Sequence, residues 1–123
     1  MTQKKHRVGL LGAGYIVEAH VKAVRALPNT TLAAVCDVSK SRAEAAAAQY
    51  GAHRAHGSYE ALLADPEVDV VFNALHNGLH CEWTVRALAA GKHVLCEKPL
   101  ACSTAEVEQM FAAAREHRRW LME

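Results

Sequence analysis

A surplus of charge of either sign is missing from this chain, in which 14 lysines and arginines stand against 13 aspartates and glutamates for a formal net charge of +1. Nucleic acids and anionic membranes are gripped by concentrated positive charge, so a near-neutral chain is built for neither. Long apolar runs are missing as well. None approaches the roughly 18 residues that a membrane span requires. The opening MTQKKHRVGLLG sets basic residues before a short apolar stretch, but glycines interrupt it and no small-residue cleavage site follows, so it does not read as a secretory signal. The expected location is cytoplasmic.

Paired cysteines are absent too. Cys36, Cys81, Cys96 and Cys102 are irregularly spaced and contain no C-x-x-C, which favours reduced, mostly buried thiols over a disulfide framework. The eight histidines offer no convincing metal set. His76 and His80 are four apart and His53 and His56 three apart, but neither pair has an evident third ligand. The first also lacks the glutamate that follows the leading histidine of a zincin helix, so no metal is expected.

What is present is a regular alternation of apolar runs and helical stretches, at a length of 123 residues that suits one domain. RVGLLG (7–12) reads as a strand, 15–27 as a helix ending before Pro28-Asn29, and TLAAVCD (31–37) as a second strand. Ser39 opens a helix through RAEAAAAQY that Gly51 closes. A short strand is expected at 53–56, and a small helix at 58–66 with Ser58 as its cap. VDVVFNAL (68–75) is the clearest strand, a nearly continuous apolar run of the kind buried on both faces. A helix over LHCEWTVRALAAG stops at Gly91, KHVLCE (92–97) is the next strand, and 103–118 the last helix, with Ser103 and Glu106 spaced for a capping box. RRWLME then reads as the opening of a further strand, and the expectation is a chain truncated there. The order implies an α/β fold, a parallel sheet wrapped by helices.

GLLGAGYIVEAH (9–20) joins the first strand to the first helix through a glycine turn. Such a turn suits a pyrophosphate because it brings backbone N–H groups and the positive end of a helix dipole to one place. Gly12 would make the tight bend, and Gly14 would let phosphate approach the backbone. Val17 stands where a third small residue is usual, and is expected at the contact of helix and sheet, pushing the helix slightly outward. On that reading Val17→Ala modestly raises stability or cofactor affinity. Asp37 closes the second strand 23 residues beyond Gly14, where a carboxylate can accept from the ribose hydroxyls of NAD. Ser39, Lys40 and Arg42 follow closely enough to receive a 2′-phosphate, so NAD is favoured with NADP as the alternative. In HVLCEKPL a strand ends in Glu97, Lys98 and Pro99, which places a lysine at the nicotinamide end of the crevice, able to hold a substrate oxygen or relay its proton.

GAGYIVEAH, the Cys36-Asp37 pair, and NGLHCEWTVRALAAGKHVLCEKPLA (77–101) resemble the N-terminal domain of the Gfo/Idh/MocA family, the relatives of glucose–fructose oxidoreductase and inositol dehydrogenase. The resemblance covers nearly the whole chain. It implies a Rossmann-type doubly wound parallel sheet with helices on both faces, lacking the family's C-terminal substrate domain. It implies Lys98 as the catalytic, proton-handling residue and Glu97 beside the nicotinamide ribose, with Pro99 shaping the turn through a cis bond. Gly12, Gly14, Tyr15, Ile16, Asp37, Asn77, His80 and Glu97 are the implied cofactor-binding residues, His76 replacing a usual proline before Asn77. The function implied is an NAD(P)-dependent oxidoreductase acting on a sugar-like or polyol alcohol or carbonyl. A homo-oligomer is expected on a separate ground, because an unfinished last strand leaves a sheet edge exposed. The alternative is a non-catalytic dinucleotide-sensing or protein-interaction module of the same fold. An S-adenosylmethionine enzyme shares the glycine turn but leaves Glu97-Lys98-Pro99 without a role.

Overall fold

A computed structural model describes residues 4–123. The chain runs β1 (His6–Leu11), α1 (Val17–Ala26), β2 (Thr30–Cys36), α2 (Lys40–Tyr50), β3 (Arg54–His56), α3 (Tyr59–Leu63), β4 (Val70–Asn73), α4 (His80–Ala89), β5 (His93–Cys96), α5 (Thr104–His117) and β6 (Leu121–Met122). One 3₁₀ turn, Asn77–Leu79, precedes α4. All strand pairs are parallel, in the order β3-β2-β1-β4-β5-β6. That is the Rossmann arrangement, in which the order reverses beside β1 and leaves a crevice at the strands' carboxyl ends.

Alternation along the strands builds a core on each face of the sheet. Val8 and Leu10 of β1, Val35 of β2 and Phe72 of β4 pack with Val17, Val21 and Val24 of α1 and Ala46 of α2. On the other face Leu11, Cys36, Val71, Val94 and Cys96 pack under Leu62 of α3, Trp83 and Leu88 of α4, and Met110 of α5. Burial on both sides is why these strands read as continuous apolar runs.

The elements are shorter than their apolar patterns. α1 begins at Val17 because residues 15 and 16 are spent in the turn. β4 spans only four residues, since Val68 N–H donates to the Asp65 carbonyl in a turn and Asn73 Oδ1 already accepts from Leu75 N–H beyond the strand. Caps follow the expected residues. Ser39, Ser58 and Ser103 accept from Arg42, Ala61 and Glu106 N–H, and Gly51 closes α2 at φ 73°. Glu106 differs from a capping box: its carboxylate accepts from Cys102 N–H, one residue before the cap. β6 adds to β5 through Val94–Leu121 and Leu95–Met122.

Candidate functional site

β1 ends at Leu11 and the chain bends at once. Gly12 has φ 98°, a conformation suited to glycine, and its N–H donates to Cys36 O at 2.9 Å, tying the bend to the end of β2. A Cβ on Gly12 would lie 3.3 Å from Ala74 O, so the end of β4 also presses on this residue. Gly14 is different. A Cβ there would meet nothing within 4 Å, leaving its backbone open to an approaching group. The N–H groups of Gly14, Tyr15 and Ile16 donate to no acceptor among the described residues, and no side chain caps α1. The turn therefore presents unsatisfied donors at a positive helix end. Tyr15 is 93% exposed beside them.

On the β2 side of the turn lies a cleft of about 450 Å³ lined by Gly12, Gly14, Ile16, Asp37, Arg42, Tyr59 and His76 among others. Asp37, only 5% exposed, organises it. Its Oδ1 accepts from Ser39 N–H at 2.9 Å, while Oδ2 accepts from Ala13 N–H at 3.3 Å and from Arg42 Nη2 at 3.0 Å. Its carboxylate thus holds the glycine turn against the start of α2 and fixes Arg42 at the cleft.

A second cleft of about 440 Å³ lies on the β5 side, lined by His20, Phe72, Leu95, Cys96, Glu97, Lys98 and Glu123. Glu97 N–H donates to Asn73 O at 2.9 Å, so the turn after β5 is pinned to the end of β4. The Lys98–Pro99 bond is cis, as expected, and Lys98 is exposed at the mouth. Glu97 Oε2 lies 3.0 Å from His20 Nε2, and the His20 ring stacks on Phe72 with centroids 3.8 Å apart. His20 went unrecognised in the sequence because no spacing rule relates position 20 to position 97.

The segment after β4 divides. His76 and Asn77 are exposed, Asn77 opening the 3₁₀ turn, whereas His80 is 0% exposed. The two ring nitrogens of His80 lie 2.8 Å from the carbonyl oxygens of Pro99 and Leu75. His80 is therefore a buried brace between the loop after β4 and the turn after β5. Asn73, also missed in sequence, completes the brace by donating from Nδ2 to His80 O and Thr84 Oγ1. The spaced histidines are directed elsewhere: His56 Nε2 lies 2.9 Å from Asp65 Oδ2, away from His53, which is exposed. Burial pushes the Cys36 thiol up to about 12 and the Cys96 thiol up to about 11, so both stay protonated at neutral pH.

The sequence model of the Gfo/Idh/MocA group, described as an oxidoreductase family with an NAD-binding Rossmann fold, matches residues 6–123. The chain belongs to this family. It is 43% identical over 116 residues to a D-xylose 1-dehydrogenase (NADP(+)) of Haloferax volcanii, covering 94% of this chain and 35% of the relative. It is 41% identical over 112 residues to a 1,5-anhydro-D-fructose reductase of Ensifer adhaerens, covering 90% and 33%. Among solved structures, a 3-ketoreductase from Actinomadura kijaniata in complex with NADP superposes with a TM-score of 0.93 at 39% identity, covering 98% of this chain and 38% of that one. An NAD-binding oxidoreductase from Klebsiella pneumoniae gives 0.90 at 39%, covering 96% and 34%. The chain thus spans about a third of the length of the relatives it matches. It carries the family's NAD(P)-binding Rossmann domain, and among the described residues no helix is long and apolar enough to cross a membrane.

Proposed function

We propose that this chain is the dinucleotide-binding part of a dehydrogenase or reductase that moves a hydride between a nicotinamide cofactor and a sugar-like or polyol alcohol or carbonyl. The carrying observation is a cleft lined by the open Gly14–Ile16 amides and by Asp37, together with a second cleft at Glu97 and Lys98 that α1 also lines through His20. A dinucleotide bridges such a pair when its pyrophosphate takes the central N–H groups. Asp37 accepts from the adenosine ribose, and Lys98 donates to the substrate oxygen and takes or returns its hydroxyl proton. Bound nicotinamide supplies or accepts the hydride. Tyr15 and Ile16 frame the pyrophosphate, exposed Asn77 contributes a further cofactor contact, and His80 braces the loop that carries it. Retention of Lys98 at the cleft mouth favours catalysis over a purely sensing module.

Arg42 broadens cofactor use. It already pairs with Asp37, so a 2′-phosphate meets a neutralised carboxylate and a guanidinium within reach, whereas NAD needs only the carboxylate. Reduced thiols and a dinucleotide cofactor suit the cytoplasm. Calorimetric titration of the wild type, Asp37→Ala and Arg42→Ala with NAD and NADP tests the reading. Asp37→Ala is expected to weaken NAD more than NADP and Arg42→Ala the reverse, while no heat from the wild type at millimolar dinucleotide overturns it.

A further inference from the structure

We propose that His20 is a positioning residue for the nicotinamide half of the cofactor, acting through Glu97; this rests on the proposed dinucleotide site. A pyrophosphate at Gly14–Ile16 with one ribose at Asp37 directs the other half of the molecule away from β2, over β4 and β5. That direction leads into the cleft holding Glu97 and Lys98. Glu97 is the carboxylate lining that cleft from the β5 turn, as Asp37 lines the other, and a carboxylate there accepts from the second ribose.

A glutamate has three side-chain torsions, and a free one would sample many orientations in an open cleft. Here one carboxylate oxygen is held by His20 Nε2 at 3.0 Å. The imidazole is itself held against Phe72 of β4, 3.8 Å between centroids, and the His20 and Glu97 side chains are largely shielded, 18% and 25% exposed. Glu97 is therefore fixed through one oxygen, leaving the other for a ligand. The pair also joins α1, whose N-terminus faces the phosphates, to the turn presenting Lys98.

The consequence is selective. Loss of the His20 contact should weaken ligands that carry the second ribose and spare those that stop at the pyrophosphate. The test measures dissociation constants of the 123-residue chain for NAD and for ADP by NMR-detected titration, in the wild type, His20→Phe, His20→Gln, Glu97→Gln and the His20→Phe/Glu97→Gln pair. His20→Phe keeps an aromatic ring on Phe72 and removes the donor; His20→Gln keeps an N–H donor. His20→Phe is expected to weaken NAD about tenfold, the scale of one charge-assisted hydrogen bond, with ADP unchanged within about twofold. His20→Gln should recover most of that loss, and His20→Phe should cost nothing further on a Glu97→Gln background.

Equal losses of NAD and ADP, no loss of either, or additive effects in the double variant would each overturn the proposal while leaving the dinucleotide site standing. A wild type that binds neither ligand overturns both. If His20→Phe does not fold, Glu97→Gln decides: selective loss of NAD supports the proposal, and parallel loss of ADP contradicts it.

Discussion

Gly12 and Gly14 lie two residues apart and meet opposite demands. Gly12 is required by its own backbone, with φ 98° and Ala74 O close by, so Gly12→Ala should cost about 1–2 kcal/mol of stability by denaturant unfolding. Gly14 is required by nothing in the folded chain, because the space around its missing Cβ is empty. Gly14→Ala should leave the unfolding midpoint unchanged or slightly raised, yet weaken NAD at least about tenfold where the methyl meets the phosphates. A Gly14→Ala variant that loses stability and keeps affinity would contradict that division. Val17 reverses its sequence-based expectation. It does sit between helix and sheet, but it is 0% exposed and forms part of the α1 core with Val21, Val24 and Phe72. Its removal opens a cavity, so Val17→Ala should destabilise by about 1–3 kcal/mol. The motif indicated where Val17 lies, while the fit of its methyl groups depended on residues as far along the chain as Phe72.

Between elements, β1 and β4 are joined at their amino ends by Arg7 and Asp69. Arg7 Nη2 lies 2.9 Å from Asp69 Oδ1, Arg7 N–H and Nε donate to Asp69 Oδ2, and Nη1 pairs with Glu67. The Arg7 hydrogen bond is the main cause that holds the Asp69 carboxyl down at about 2. An unfolded aspartate titrates near 3.9, so this folded value is depressed. Its stabilising contribution is therefore complete above about pH 4 and is lost as pH falls through about 2. Wild-type melting temperature should drop across that window more steeply than that of Asp69→Asn, and parallel curves would refute the assignment. Element order and most caps were legible in the sequence because alternating apolar runs, Ser39, Ser58, Gly51 and Ser103 are local signals. Element ends were less legible. The ends of β1 and β4 are set by crossing bonds such as Gly12 N–H to Cys36 O and Glu97 N–H to Asn73 O. The same limit hid the His20–Glu97 contact.

For the whole molecule, binding and turnover are expected to separate. The cleft at Lys98 is bounded by β4, β5 and α1 and opens to solvent at Lys98, whereas hydride transfer needs a dry pocket and further polar contacts on the substrate. Residues 1–123 should therefore bind NAD(P) and reduce it with polyols far below the roughly 10 per second median of enzymes. A rate near that median would show that this chain completes the pocket unaided. A separate cavity of about 510 Å³, lined by Phe111, Arg115, Arg118, Trp120 and neighbours, lies near the amino ends of β5 and β6, opposite the open helix terminus. Its position distinguishes the account from a rival site directly. Amide chemical shifts of the isotope-labelled chain, followed as NAD is added, are predicted to move at Gly12–Val17, Asp37–Ser39, Ala74–Asn77 and Glu97–Lys98. Shifts confined to Phe111–Leu121, or none at millimolar NAD, would contradict it.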